Sequence, residues 1–387
     1  TAQHAMNRCL AGEEDPGEIL GGMEETLLKL GETRVKSGLV NPRQILESYD
    51  GGLNAFLDPS KRVKGISTGF YKLDEMTGGM HAGDLFILAA RPSMGKTALA
   101  LNIAEQMAMR GEAVGIFSME MSKQQLVQRM LASRAAIDSH RMRRNMLNRD
   151  EHRALMTACD ELLDARLFID DTPGLSLLQL RAKARRMQQK HGISAIVIDY
   201  LQLMTSGRKV ESRQLEVSEI SRGVKAMARE LGVPVLCLSQ LNRSPEMRAG
   251  HKPMMSDLRE SGSIEQDADV VSMLHREDYY HKDDPEWEMN NPGKAGVAEL
   301  ILTKQRNGPT GVVYLTWVAS SMRFKDHSPH RGEGYSASSH SGPAFPGAAY
   351  SRDIPQASGS AISAPFKERG RPRAIDLDEQ VEGDLPI

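Results

Sequence analysis

Residues 84–108 read DLFILAARPSMGKTALALNIAEQMA, and this stretch says more about the fold than any other in the chain. From Asp84 to Ala90 the residues are almost all apolar. A short uninterrupted run of this kind is the pattern of a strand buried on both faces. Pro92 and Ser93 break the run, and apolar residues then recur at helical spacing from Lys96 to Arg110. Strand, small-residue loop and helix in that order, with Gly95-Lys96-Thr97 opening the helix, form the context of a Walker A phosphate loop. Gly95 lets the backbone approach a phosphate, and successive N–H groups at the helix start bind the anion. In that arrangement Lys96 reaches the β- and γ-phosphates and the Thr97 hydroxyl ligates Mg2+. Ala90 stands where the pattern G-x-x-x-x-G-K-[ST] has its first glycine, a position Ala can take if its φ stays negative.

Similar runs flank this one. Val114–Met119, Leu167–Asp170, Ala195–Ile198, Val233–Ser239 and Val270–Leu274 are apolar and short. Between them lie the helical stretches Gln124–Ala136, Ser176–His191 and Leu215–Leu231. Continuous Ile, Val and Leu runs, each followed by a helix, predict parallel strands covered on both faces. Two last runs, Val297–Arg306 and Gly311–Val318, are separated by NGPT and predict an antiparallel hairpin. The fold class expected is α/β, a P-loop nucleotide-binding fold with a mostly parallel central sheet, flanking helices and a C-terminal hairpin.

Composition sets the outer bounds. The chain has 387 residues, with 49 Lys plus Arg against 51 Asp plus Glu and a formal charge of −2. That balance excludes a protein that coats nucleic acid by bulk charge, though not one with a focused site. Aromatics make up 5% and Met numbers 22, so Met is expected to fill core gaps. Cys9, Cys159 and Cys237 are odd in number and lack metal-ligand spacing, which predicts a reduced, cytoplasmic protein. No apolar stretch approaches the roughly 18–20 residues that cross a bilayer, so no membrane association is expected. Four zones separate: a helical segment over 1–37, a linker helix and loop over 38–65, the α/β domain over 66–326, and a tail over 327–387. The tail is dominated by Ser, Gly, Pro and Ala and is expected to be disordered. The chain opens on Thr1 inside a helical pattern, which reads as a piece of something longer.

Three polar residues stand at strand ends. Ala195-Ile-Val-Ile-Asp199 is an apolar strand closing on a carboxylate, as a Walker B element does beside Mg2+. Glu120 follows the next strand, where a carboxylate acts as general base on an attacking water; as an alternative it caps, or charges the first turn of, a helix beginning near Ser122. Gln240 closes Val233–Ser239, either sensing a γ-phosphate or serving as an ordinary loop amide.

With these in register, the chain resembles the DnaB family of replicative DNA helicases. The resemblance is carried by GISTGFYKLDEMTGGMHAGDLFILAARPSMGKTALALNIA, FSMEMSKQQLVQRML, IVIDYLQLM, VPVLCLSQLNR, SDLRESGSIEQDADVV and LTKQRNGPTG, which span most of Gly65–Phe324. It implies a RecA-like ATPase that assembles as a homohexamer and moves 5′ to 3′ on single-stranded DNA, driven by ATP with Mg2+. By motif it implies a nucleotide loop of Ser93, Gly95, Lys96, Thr97 and Ala98, catalytic Glu120, and Arg129 beside the nucleotide. Asp199 becomes the Walker B acid, and Gln240 the link from γ-phosphate to DNA loop. Lys304 and Arg306 are implied to act in trans on the next subunit's phosphate, Arg306 as an arginine finger. Arg259, Glu260 and Gly262 of DLRESGS are implied to form the inner DNA-binding loop, where backbone N–H groups grip phosphate without reading bases. Arg208, Lys209 and Arg213 are further candidates for the DNA channel. GEILGGMEETLLKLGE resembles the end of the family's N-terminal collar, and NPRQILESYDGG its linker helix. A helicase loader and primase are implied partners of the full-length protein. Two other readings of the residues are a RecA-like strand-exchange ATPase that forms filaments, and a RecA-like ring that does not act on DNA.

Overall fold

The computed structural model describes residues 6, 10, 17, 20–24 and 41–43, and residues 65–328 apart from 208–211, 259–261 and 283. The chain divides into two units, Thr1–Pro329 and His330–Ile387, and the described elements all belong to the first. Most of the expected linker helix, the whole tail beyond 328, and Arg208, Lys209, Arg259 and Glu260 lie outside the described residues.

In chain order the elements are α1 (Tyr71–Thr77), β1 (Leu85–Ala90), α2 (Lys96–Met109), β2 (Val114–Ser118), α3 (Lys123–Arg134), α4 (Ser139–Arg143), α5 (Arg149–Asp164), β3 (Leu167–Asp170) and α6 (Leu177–His191). Then follow β4 (Ala195–Asp199), α7 (Arg213–Leu231), β5 (Val235–Gln240), α8 (Gly262–Asp267), β6 (Val270–His275), α9 (Pro285–Asn290), β7 (Val297–Gln305), β8 (Gly311–Val318) and β9 (Arg323–Asp326). One nine-stranded sheet runs β3-β2-β4-β5-β1-β6-β7-β8-β9. The strands from β3 to β6 pair in parallel, and β7, β8 and β9 extend the sheet antiparallel. The α/β class and the hairpin are as expected; β9 and the helices α1, α4, α5, α8 and α9 are additions.

β1 is buried along its whole length, and its alternation explains why. Phe86, Leu88 and Ala90 join the core on one face with Leu99 and Ile103 of α2. Leu85, Ile87 and Ala89 join the other with Val217, Ile220 and Val224 of α7. By contrast β7 alternates buried and half-buried residues, as an antiparallel strand with one wetter face should. β5 starts two residues later than the apolar run because Val233 N–H is taken by Ala228 O and Pro234 has no N–H to give. Among the described residues no helix is long and apolar enough to cross a membrane.

Candidate functional site

The C-terminal ends of the parallel strands converge on one cavity of about 570 Å3, and its lining includes Ser93, Gly95, Lys96, Thr97, Ala98, Glu120, Arg129 and Gln240. A larger hollow of about 730 Å3 lies beside Lys72, Lys294 and Tyr314. It is far poorer in convergent polar groups from the strand ends, so the smaller cavity is where chemistry is placed.

The phosphate loop owes its shape to two left-handed residues. Gly95 has φ 98°, a region costly for any side chain, and a Cβ there would stand 3.0 Å from the Phe324 ring. Ser93 also has positive φ, 66°, which is strained for a non-glycine and common at binding loops. Met94 between them is buried and anchors the turn from below. Ala90 remains the last residue of β1 in extended geometry, paired with Gln240 and Leu274, so the missing glycine is tolerated there.

Lys96 opens α2 and is largely buried, its side chain 12% exposed. Its Nζ lies 3.6 Å from Asp199 Oδ1 and 4.2 Å from the Tyr200 ring centroid. Burial holds the lysine below its ordinary pKa, against the pull of Asp199 and Glu120 in the other direction. Thr97 Oγ1 donates to Asp199 Oδ2 at 2.8 Å. Asp199 itself is 3% exposed, and its Oδ1 has no hydrogen-bond partner. A buried carboxylate oxygen left open beside a threonine hydroxyl and a largely buried lysine is the donor set a magnesium nucleotide fits.

Glu120 is placed by a hydroxyl-closed turn. Ser118 Oγ donates to Met121 O at 2.7 Å and accepts from Met121 N–H at 3.2 Å, leaving Glu120 exposed at the apex. The alternative of a helix cap does not hold, because Ser122 caps α3 in a reciprocal box with Gln125. Arg129, one turn and a half into α3, is half-buried, and that burial pulls its pKa down while Asp199 and Glu120 oppose it. Gln240 ends β5. Leu241 N–H beyond it donates to Ala90 O at 3.1 Å, and Arg91 Nη1 returns to Leu241 O at 2.9 Å. The end of β5 is thereby tied to the phosphate loop. Gln202, which sequence reading passed over within YLQLM, bridges β4 to β5: its Nε2 donates to Ser239 Oγ at 2.9 Å.

Lys304 and Arg306 are not in this cavity. Arg306 N–H donates to Asp269 O, and Asp269 N–H to Leu85 O, so Arg306 sits level with the start of β1. The phosphate loop leaves the other end of that strand, about 16 Å away at ~3.3 Å per residue. Gly262 begins α8, at the end of the segment carrying Arg259 and Glu260. The base of that segment is well held: Arg248 makes two bonds to the buried Asp257, at 2.5 and 2.6 Å, and Leu258 bridges to Leu241 next to Gln240. Arg213 donates to Gln202 O at 2.6 Å and pairs with Glu216, its side chain still 37% exposed.

Residues 65–326 match the family model of the DnaB-like helicase C terminal domain. The chain is 46% identical over 315 residues to a protein of Geobacillus stearothermophilus named replicative DNA helicase DnaB, covering 81% of this chain and 67% of that one. It thus spans about two thirds of that relative's length. Two solved structures are similar at 34% identity. One is described as an ATPase domain, with TM-score 0.64, 79% of this chain and 99% of that one covered. The other is a DnaB-like replicative helicase described with its interactions with primase, with TM-score 0.68, 84% and 74% covered.

Proposed function

Since the chain belongs to the DnaB-like replicative helicase family, we propose that it is an ATP-driven helicase motor that moves 5′ to 3′ along single-stranded DNA as a homohexamer. The observation that carries this reading is the arrangement of Thr97 Oγ1, Asp199 and Lys96 around one open carboxylate oxygen at the end of a strained loop.

In this reading the N–H groups of Ser93 to Ala98 cradle the phosphates, and Lys96 holds the β- and γ-phosphates as a largely buried cation. Thr97 and Asp199 are the residues that would hold Mg2+, which when bound neutralises charge on the bridging phosphate oxygens. Glu120 takes a proton from the water that attacks the γ-phosphorus in line, while the bond to the β-phosphate oxygen breaks and ADP leaves. Arg129 adds positive charge beside the transferring group. Gln240 contacts the γ-phosphate, and its neighbours Leu241 and Leu258 pass a shift at that contact to the segment holding Arg259, Glu260 and Gly262. Arg306, with Lys304, supplies charge to the next subunit's phosphate. Its place at the far end of the sheet is why a second copy is required. A loader and primase are proposed as further partners, in keeping with a solved relative described with its interactions with primase.

Forked duplexes with either a 5′ or a 3′ single-stranded tail provide the test. Unwinding with ATP is expected on the 5′-tailed fork alone, and Lys96→Ala is expected to abolish both hydrolysis and unwinding. Unwinding of the 3′-tailed fork would overturn the polarity, and normal turnover by Lys96→Ala would overturn the site.

A further inference from the structure

Arg306 rests on a buried carboxylate, Asp269, that has no part in the mechanism above. Asp269 forms the turn between α8 and β6 and is 5% exposed. Its N–H donates to Leu85 O at 3.0 Å. Its Oδ2 accepts from Leu85 N–H at 2.8 Å, so the turn is stitched to the first residue of β1. The same oxygen accepts from Nζ of Lys225, a buried lysine on α7 that also donates to Gly83 O at 2.7 Å. Only Oδ1 remains, and it faces Arg306 Nη1 at 3.6 Å. The guanidinium is steadied from its other side by Gln266 O, at 2.5 Å from Nη2.

Two physical requirements meet here. An arginine that serves a phosphate across a subunit boundary must be held in place beforehand, because a long exposed side chain otherwise loses its rotamer freedom at the moment of reaction. It must also be released to the phosphate. A carboxylate with no other cation takes a guanidinium through two parallel bonds and keeps it. Asp269 cannot do so, since Lys225, which it shares with Asp84 at 3.7 Å, already occupies one oxygen and offsets part of its charge. The carboxylate's own grip on Arg306 is single and long, and the second contact, from Nη2, is to the uncharged Gln266 carbonyl.

We propose that Asp269, compensated by Lys225, is the positioning residue for Arg306. It presents the guanidinium at the subunit's edge and yields it to the neighbouring subunit's phosphate. This rests on the reading that Arg306 acts in trans.

The test uses Asp269→Asn, which keeps the side chain's shape, and the double variant Lys225→Met with Asp269→Asn. The double variant removes both members of the closer ion pair together, which is better tolerated than removing one, and leaves Asp84 as the remaining carboxylate there. For both, ATP turnover on single-stranded DNA is expected to fall about 10- to 100-fold, the scale of a misplaced reacting group. Binding of a fluorescent ATP analogue is expected to stay unchanged. Mixing either variant with Glu120→Ala subunits, which bring an intact Arg306, is expected to restore hydrolysis at the variant's own site. Adding Arg306→Ala to the same chain is expected to cause no loss beyond that of Arg306→Ala alone. Normal turnover in the double variant overturns the inference, and so does a loss that Glu120→Ala subunits do not rescue. The parallel mixture of Arg306→Ala with Glu120→Ala separates the two readings. If that mixture recovers and the Asp269 variants do not, positioning by Asp269 is wrong while action in trans stands. If that mixture does not recover, action in trans is wrong and the inference falls with it.

Discussion

Lys96 illustrates what one residue owes to its surroundings. In the sequence it is a lysine in a G-K-T motif with an ordinary affinity for protons. In the fold it is largely buried between Asp199 and the Tyr200 ring, and burial depresses its pKa despite the two nearby carboxylates. The sign of the consequence follows. The charged form binds phosphate, so affinity is full below the lowered pKa and is lost as pH rises through it. ATP-analogue affinity is therefore expected to decline on raising the pH before an ordinary lysine, with a pKa of about 10.4, would deprotonate. Lys96→Arg, which stays charged throughout, is expected to lack that decline at whatever affinity it retains. Fluorescence titrations across the alkaline range decide it: parallel curves for both proteins would contradict the assignment. Asp199 and Thr97 were legible from strand and loop patterns. The bond from Arg213 to Gln202 O and the bridging of Gln202 to Ser239 were not, because both depend on which oxygens another segment leaves open.

Among the elements, α3 shows how a local signal reaches the site. The run Ser118-Met-Glu-Met-Ser122 leads into a Ser…Gln capping box, and the helix it starts brings Gln125 and Arg129 to the cavity wall. Ser122→Ala is expected to cost about 1 kcal/mol. For a domain of this size that is a fall in Tm of roughly 2–4 °C. Weaker ATP-analogue binding should accompany it, because the first turns of α3 fray. Calorimetry and nucleotide titration check both, and an unchanged Tm would mean the cap contributes nothing. α5 carries the same kind of box, Asn148 with Glu151, and that signature could have located it. Leu155, Ala158, Cys159 and Leu162 also recur at helical spacing, so periodicity pointed to this helix as well, although only Ala158 of it is buried. β9 is shorter still. It exists because β8 offers an edge and Asn102 Oδ1 accepts Phe324 N–H at 2.8 Å.

For the whole molecule, the deciding fact is that the phosphate loop and Arg306 lie at opposite ends of one sheet. On the proposed role of Arg306, the phosphate it serves therefore belongs to a second copy of the chain. Native mass measurement with ATP is expected to give discrete hexamers; open-ended filaments would favour a strand-exchange ATPase instead. The near-zero charge fits a motor that grips DNA phosphate through backbone N–H groups and few cations. In the sequence alone, the residues were enough for eight of the nine strands, four of the nine helices described, the phosphate loop and the carboxylates at strand ends. All of those are written in periodicity, caps and turn chemistry within some twenty neighbouring positions. They could not reveal the strand order, the distance separating Arg306 from the nucleotide loop, or the Lys225–Asp269 pair beneath it. Those are contacts between segments far apart in the chain, made only when burial on both faces of the sheet forces the segments together, and no local pattern encodes them.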